Sequence, residues 1–351
     1  MKIFDYSKLN EYKWDSEVIS LIAQIHEHKG KQSLYLKQKP QTLKQLIEIA
    51  KIQSTESSNK IEGIVTASTR IKQLMSDKTT PRNRDEEEIL GYRNVLNIIH
   101  ESFEYIPITP NYILQLHNEL YKQSSKSIGG KYKGVQNYIS AKYPDGHEEI
   151  LFTPLSPFET PKAINELCNE FNKCIDEDII EPLLLIPTFI SDFICIHPFS
   201  DGNGRLSRLI TSLLLYKSGF YVGKYVSIEK LIEQHKDGYY DALNKTNKGW
   251  HDNNNNNNND STPFIKYILR ILLMAYKEFN ERMSLVEANT SSYDYVKNTI
   301  DKILGKFTKS ELLEKCPNIA KSTLEAALKK LVEDGYIKKS GQGKSTFYYK
   351  A

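Results

Sequence analysis

The sequence predicts a mainly α-helical protein with one small β-hairpin in its middle and a separate domain at its C-terminal end. Apolar residues recur at helical spacing through most of the 351 residues, and in the middle of the chain β-prone runs flank a turn signal at Pro144-Asp145-Gly146. After residue 293 the pattern becomes helix, helix, helix and hairpin. We therefore expect an N-terminal helical region over 1–105, a core over 106–283 and a C-terminal domain over 293–351.

The bulk composition is that of an ordinary soluble protein. The chain is 39% hydrophobic and 26% charged, and its net charge of +3 is too small to indicate nucleic acid or an anionic membrane as a partner. It has no run near the ~18 apolar residues of a transmembrane helix, and MKIFDYSKLNEYKW does not resemble a signal peptide. Four widely spaced cysteines without C-x-x-C spacing indicate neither a disulfide framework nor a zinc site. We expect a cytoplasmic protein.

The N-terminal region is expected to begin with two helices. The first covers Ser16–His28, and the second runs from about Thr42 to the stop signal at Gly63. Near the end of the second helix, Ser58 and Glu62 fall on one face at i, i+4 spacing. By spacing alone this is an exposed, polar helix end.

The middle of the chain reads as further helices interrupted by the hairpin. The hairpin is expected within 131–154, and the asparagine run 251–260 and segment 284–292 read as a flexible loop and a linker. Apolar periodicity and capping signals predict the other helices at 85–100, 107–121, 157–176, 181–196, around 238–243 and at 262–283.

The chemistry of the chain is concentrated in HPFSDGNGRLSR, residues 197–208. An apolar run precedes it, and the helical spacing of the leucines that follow predicts a tight loop that opens a helix. Gly202 and Gly204 permit positive φ and close approach of a ligand, and a helix N-terminus offers unpaired N–H groups to phosphate. Arg205 and Arg208, three residues apart, are expected on one flank of the first turn, where both can fork onto phosphate oxygens.

Three other side chains of this stretch have suitable chemistry. His197 can act as a general base, because the unperturbed pKa of histidine is about 6.5. Asp201 supplies the single hard carboxylate that Mg²⁺ often takes when phosphates provide its other ligands. Asn203 can hold a phosphate oxygen as charge develops in the transition state. Each residue alone fits a core histidine or an ordinary turn, so only the combination predicts a site.

HPFSDGNGRLSR matches every defined position of H-x-F-x-D/E-G-N-G-R-x-x-R, the signature of Fic proteins, which the chain therefore resembles. The resemblance implies a Fic-type helical core with a hairpin flap, and transfer of AMP from ATP to a Ser, Thr or Tyr hydroxyl of a target protein. It implies that His197 deprotonates the hydroxyl and Asp201 holds Mg²⁺. It further implies that Phe199 is a buried anchor, that Arg208 reaches the γ-phosphate, and that the phosphates lie on Gly202, Asn203, Gly204 and Arg205.

The same resemblance gives meaning to two other segments. SSNKIEG (57–63) fits the pattern S/T-x-x-x-E-G/N of self-inhibited Fic proteins, which implies that Glu62 pairs with Arg208 and that Ser58 helps to hold the glutamate. Tyr239 and Tyr240 are similar in position to the adenine-site residues of adenylylating Fic proteins, and aromatic rings stack on bases. With 22 tyrosines in the chain, a purely structural role for this pair is equally consistent with the sequence.

The C-terminal segment 293–351 resembles a winged helix. Its twelve lysines against seven acidic residues give it a charge of +5, which suits DNA phosphates, but it has no arginine for base readout. Protein contacts are the other reading, and the chain itself is a candidate target and oligomer partner. Three functional alternatives stay open: a Fic enzyme that transfers another group or removes AMP, a nucleotide-sensing transcriptional regulator, and an inactive scaffold.

Overall fold

The computed structural model is mainly helical, which confirms the predicted fold class. Two antiparallel sheets of two strands each are the β-structure found in the described part of the chain. The structure describes residues 2–38, 40–76, 79–142, 146–178, 180–251, 259–287, 292–303, 305–316, 319–341, 343 and 346–351.

The predicted α-helices are present, and most of their ends differ by a few residues. The first helix continues ten residues beyond its predicted end at His28, and two short α-helices were missed. The missed ones are α3 and α9, and α9 carried a signal, because Ser227 caps it by accepting from the Lys230 N–H. In chain order the helices are α1 (Ser16–Gln38), α2 (Pro40–Ile61), α3 (Ser68–Met75), α4 (Arg84–Ser102), α5 (Pro110–Tyr121), α6 (Thr160–Asp176), α7 (Pro182–Ile196), α8 (Asn203–Lys217), α9 (Ile228–Gln234), α10 (Lys236–Asn247), α11 (Thr262–Glu287), α12 (Ser292–Asp301), α13 (Lys309–Lys315) and α14 (Lys321–Glu333). Among the described helices, none combines the length and apolar character needed to span a bilayer.

The contacts within the chain define two compact units. The first consists of Met1–Lys29 and Ala50–Tyr276, and the second of Gly30–Ile49 and Lys277–Ala351. The end of α2 that carries Ser58 therefore belongs to the first unit, together with the signature stretch 197–208. The three domains expected from the sequence, over 1–105, 106–283 and 293–351, stay a prediction.

The first unit is built around α7. Every residue of this helix from Leu183 to Ile196 is buried, which explains why its sequence is mostly apolar. Helix α7 packs against α6 and α8, and α8 also packs against α4. The loop that carries the signature thus starts and ends on buried helices, which fixes its backbone from both sides.

The predicted hairpin is found as strands β1 (Ile139–Lys142) and β2 (Glu148–Phe152). They pair antiparallel, with Ser140 opposite Ile150 and an irregularity at Ile139/Ser140. Within β2 only Phe152 is buried, so the strand is anchored at one end. Of the predicted turn, Pro144 and Asp145 lie outside the described residues, as do 252–258 of the asparagine run and 288–291 of the linker.

The second unit contains α12, α13 and α14, followed by the antiparallel strands β3 (Ile337–Ser340) and β4 (Phe347–Lys350). Its core includes Val296, Leu324 and Leu331, one from α12 and two from α14. The element order is the predicted one of three helices and a hairpin. Identification of this unit as a winged helix stays a prediction.

Candidate functional site

His197 ends α7 in a left-handed backbone conformation, with φ of +50°. This conformation is uncommon for a residue with a side chain, and here the His197 N–H closes the helix by donating to the Phe193 carbonyl at 3.0 Å. The Nδ1 atom lies 3.3 Å from the carbonyl oxygen of Ile194. Because a carbonyl only accepts, we assign the ring hydrogen to Nδ1, which leaves the lone pair on Nε2.

The protonation of His197 is governed by its surroundings. Burial lowers the pKa of His197 to about 4; the Ile194 carbonyl opposes this shift, and Lys133 adds to it. The imidazole is therefore neutral at pH 7, and a neutral imidazole can accept a proton through Nε2. The geometry and charge state fit the general base predicted from the sequence.

The rest of the loop is braced by Asn203 and Phe199. The Asn203 side chain accepts from the Phe199 N–H at 2.9 Å and donates to the Phe199 carbonyl at 2.7 Å. Phe199 is fully buried, and its ring stacks on His117 at 3.7 Å. The observed contacts of Asn203 thus position the loop, and only the second hydrogen of its amide is left for the predicted contact with a phosphate.

Two residues that the sequence analysis did not predict as part of the site hold the start of the loop. Asn137 donates to the carbonyls of His197 (3.3 Å) and Phe199 (2.9 Å). Lys133 donates through Nζ to the Ile196 carbonyl at 3.1 Å and through its backbone N–H to Pro198 at 2.9 Å. The segment between α5 and β1 therefore supports the loop, and no local sequence motif predicts this role.

Another histidine, His117, is buried and holds the other end of the loop. His117 Nδ1 accepts from the Gly130 N–H at 3.1 Å, so its hydrogen is on Nε2, which donates to the Asp201 carbonyl at 3.1 Å. Burial lowers the pKa of His117 to about 4, against the opposing effect of the Asp201 carbonyl. His117 is a structural residue that connects α5 to the signature loop.

Arg208, on the second turn of α8, is bound by the end of α2. Its Nε donates to the Ser58 hydroxyl at 2.8 Å, and its Nη2 donates to the Ser58 carbonyl at 2.9 Å and to Glu62 Oε1 at 2.7 Å. The Arg208 side chain is 3% exposed and that of Glu62 is 34% exposed. Glu62 contacts Arg208, as the resemblance of SSNKIEG implies. Ser58 was expected to help to hold the glutamate, and the hydrogen bonds of its hydroxyl and carbonyl described above go to Arg208.

The N-terminal turn of α8 is shaped by two glycines with different roles. Gly202 has φ of +84°, as the predicted turn requires. Gly204 is instead needed for space, because a Cβ there would lie 2.3 Å from Glu62 Oε1. The Glu62 carboxylate therefore sits directly against the N-terminal turn of α8, where a helix favours an anion.

Arg205 is buried on the other side of the turn. Its Nη2 donates to the Tyr121 hydroxyl at 2.7 Å and lies 2.7 Å from Glu88 Oε2. Its Nε and Nη1 are buried without a hydrogen-bond partner among the described residues. The expectation that Arg205 and Arg208 share one flank is wrong, since their side chains reach opposite neighbours, α4 and α5 in one case and α2 in the other.

Asp201, the predicted metal ligand, is held by several neighbours. Its Oδ1 accepts from the Gly202 N–H at 2.7 Å, and its Oδ2 contacts the Lys126 ammonium. Within the described residues there is no group of three or more histidine, cysteine or acidic side chains suited to a metal. A single carboxylate, 41% exposed, fits Mg²⁺ only when phosphate oxygens complete its coordination.

The structure separates the two candidate adenine-site tyrosines. Tyr239 is 4% exposed and packs against Phe264 and Tyr267, so its ring belongs to the core. Tyr240, on the next position of α10, is 40% exposed and lies 5.4 Å from Tyr239, centroid to centroid. Adjacent helical positions point about 100° apart, which explains the difference. Only Tyr240 presents a face on which a base can stack.

Comparisons with known proteins point to one family. Residues 107–215 match the family model described as the Fic/DOC family. The chain is 24% identical over 233 residues to "Protein adenylyltransferase Fic" of Nematostella vectensis. The aligned region covers 65% of this chain and 48% of that relative. It is 26% identical over 263 residues to the protein of the same name from Aedes aegypti, and this aligned region covers 71% of this chain and 47% of that relative. The chain thus spans about half the length of the curated relatives it matches.

Solved structures agree on the fold. A Fic family protein from Desulfovibrio desulfuricans superposes over 97% of both chains with a TM-score of 0.63, at 19% identity. A Fic domain containing signaling protein from Bacteroides thetaiotaomicron covers 75% of this chain and 95% of its own, with a TM-score of 0.58 and 25% identity. The first likeness concerns the fold alone.

Proposed function

Because the chain contains a Fic domain over residues 107–215, we propose that it is a protein adenylyltransferase, which transfers AMP from ATP to a serine, threonine or tyrosine hydroxyl of a target protein. The observation that carries this proposal is the neutral imidazole of His197, with its lone pair on Nε2, in the loop that leads into the N-terminus of α8. A base and an anion-binding helix end in one rigid loop are what attack on a phosphate requires.

In the proposed reaction, the hydroxyl oxygen of the target attacks the α-phosphorus of ATP in line with the leaving group. His197 Nε2 takes the hydroxyl proton, the bond from the α-phosphorus to its bridging oxygen breaks, and pyrophosphate leaves with the electron pair. The N-terminal turn of α8 and Arg205 hold the phosphates, and the free guanidinium nitrogens Nε and Nη1 of Arg205 are suited to this. Positioning and electrostatics supply most of the rate enhancement in such transfers.

Asp201 is the proposed ligand of Mg²⁺. When bound, the ion neutralises charge on the phosphates and orients them. The role of this chain is to present one partly exposed carboxylate next to the phosphate-binding turn. We propose that Tyr240 stacks on the adenine, and that Tyr239 supports it from the core.

We further propose that the enzyme is autoinhibited by Glu62. The carboxylate binds Arg208 and lies against Gly204, so it occupies the position that the γ-phosphate would take. Ser58 holds Arg208 by two further hydrogen bonds, which keeps the guanidinium directed toward α2. ATP would then bind only after the end of α2 moves or Glu62 is removed.

The hairpin β1–β2 is the proposed docking site for the target. Ile150 and Leu151 of β2 are 57% and 41% exposed, and a free strand edge can pair with an extended segment of another protein. Such pairing would place a hydroxyl of that segment beside the signature loop.

The decisive experiment compares ATP labelled at the α- and γ-phosphates with the Glu62→Gly variant. We expect protein-bound label, on this chain or on an added target, only from α-labelled ATP, and its loss with an added His197→Ala substitution. Glu56→Gly, in α2, is the matched control, because the Glu56 carboxylate accepts a hydrogen bond from the Ser68 hydroxyl.

Three outcomes would contradict the proposal. Label that comes only from the γ-phosphate would indicate phosphorylation. Removal of AMP from a labelled target by the wild-type chain, lost in Glu62→Gly, would indicate the reverse reaction. Absence of label together with specific DNA binding would favour a nucleotide-sensing regulator that acts through the second unit.

A further inference from the structure

Asp201 lies in a charged cluster that the reaction described above does not use in full. The cluster contains three cations and two carboxylates, so its net charge is positive. Its members are Arg84 and Glu88 on α4, Lys126 in the segment after α5, Asp201, and Arg205 on α8.

Glu88 connects the cations of this cluster. It is 2% exposed; its Oε1 lies 2.8 Å from Arg84 Nε and 3.3 Å from Lys126 Nζ, and its Oε2 lies 2.7 Å from Arg205 Nη2. The desolvation cost of a buried carboxylate is offset here by three cations. Glu88 therefore fixes the place of each of them relative to Asp201.

The two carboxylate oxygens of Asp201 have different partners. Lys126 Nζ contacts Asp201 Oδ2, whereas Oδ1 already accepts from the Gly202 N–H at 2.7 Å. The backbone around Lys126 is held as well, because the Ser125 N–H donates to Glu87 Oε2 at 3.1 Å. The ammonium is thus delivered to Asp201 by an anchored segment.

We propose that Lys126 is a resident cation on Asp201, which a divalent cation must displace, and that the nucleotide phosphates draw Lys126 away. This inference rests on the proposed function, because it takes Asp201 as the metal ligand. Lys126 is then a positioning residue that makes metal binding conditional on nucleotide.

Electrostatics gives the reason for this coupling. A divalent ion placed on Asp201 without phosphates would add two charges to a cluster that is already positive, beside Lys126 and Arg84. A polyphosphate brings several negative charges and offers Lys126 a new partner, and the flexible stem of lysine lets the ammonium move while the segment stays in place. Nucleotide and metal should therefore increase each other's affinity.

The test is Mn²⁺ binding to the full-length chain, measured by the loss of the electron paramagnetic resonance signal of free Mn²⁺. We compare the parent chain with Lys126→Met, which is one atom shorter than lysine, keeps an unbranched apolar stem and removes the charge. Lys131→Met is the matched control, since Lys131 lies in the same segment and its ammonium donates to the Ser127 carbonyl. A second series in the Glu62→Gly background contains a non-hydrolysable ATP analogue, and Asp201→Asn in both series identifies the site.

Without nucleotide, we expect Lys126→Met to bind Mn²⁺ about tenfold more tightly than the parent. The reason is the loss of the repulsion between the Lys126 ammonium and an ion bound to the neighbouring Asp201 carboxylate. Lys131→Met should match the parent, Asp201→Asn should abolish the gain, and the analogue should reduce the difference between Lys126→Met and the parent. If Lys126→Met and the parent bind Mn²⁺ with equal affinity and this binding depends on Asp201, the proposed role of Lys126 is overturned. The assignment of Asp201 as the metal ligand would then stand. Failure of every variant to bind Mn²⁺ with the analogue bound would overturn Asp201 as the metal ligand, and the inference with it. Thermal unfolding of each variant confirms that it is folded.

Discussion

Replacement of Glu62 should change the affinity of the chain for ATP, because in the proposed autoinhibition Glu62 and the γ-phosphate compete for the guanidinium of Arg208. In the structure, Arg208 has three hydrogen bonds to the end of α2, and Glu62 supplies one of them. Glu62→Gly removes the carboxylate and opens space against Gly204. Glu62→Gln removes the charge but retains most of the volume. The pair of variants separates charge from shape.

The expected magnitude follows from burial. Loss of one partner of a fully buried ion pair costs about 3–5 kcal/mol, whereas an exposed pair is worth about 0–1 kcal/mol. Arg208 is buried but Glu62 is 34% exposed, so we take about 1–2 kcal/mol for this pair. ATP should then bind about 5–30 times more tightly to Glu62→Gly than to the parent chain. Glu62→Gln should fall between the two.

Isothermal titration with a non-hydrolysable ATP analogue measures this difference, with Glu56→Gly as the control for a glycine introduced into α2. The reasoning would be refuted if Glu62→Gly and the parent bound the analogue with the same affinity. If Glu62→Gln bound the analogue with the affinity of the parent and Glu62→Gly bound it more tightly, the shape of the side chain, and not the ion pair, would exclude the nucleotide.

Two further predictions concern pH and the hold on α2. Burial lowers the pKa of His197 and of His117 to about 4, below the unfolded value of about 6.5, so the unfolded chain binds more protons between these limits. The free energy of unfolding should therefore be highest above about pH 6.5 and fall toward pH 4 by about 1 kcal/mol per pH unit for each histidine. Urea titrations at a series of pH values measure this dependence, and a free energy of unfolding that does not change with pH would contradict it. Lys236→Met removes the ammonium that donates to the Ile61 carbonyl at the end of α2 (2.7 Å), so self-labelling from α-labelled ATP should rise about fivefold. Lys245→Met, on the same helix, is the control, and equal labelling of both variants would count against this role.

The contiguous parts of the site could be predicted from the sequence. The residue types from His197 to Arg208 define their own chemistry, because they lie in one loop and one helical turn. Ser58 and Glu62 are at i, i+4 spacing, which places both on one face of α2, although only the resemblance to a known family connected that face to Arg208. The fold class followed from periodicity, which is a local property of the chain.

Parts that depend on distant contacts could not be predicted. Glu88, Lys126 and Asn137 lie far from the signature in the chain, and no local pattern distinguishes them from surface residues. Tyr239 and Tyr240 are identical in type and adjacent, so only the packing of α10 decides which ring is buried. The divergence of Arg205 from Arg208 has the same origin, because the partners that orient each side chain come from other helices.

The contact between Glu62 and the first turn of α8 also has a consequence for how activity would be controlled. A carboxylate attached to the same chain competes at an effective concentration set by geometry, which commonly reaches the millimolar range and is independent of how much protein or nucleotide is present. A rise in ATP would therefore shift the balance only in proportion, whereas an event that displaces the end of α2 would remove the competitor altogether. On this account the output of the enzyme would follow the state of one helix end more closely than the supply of its substrate.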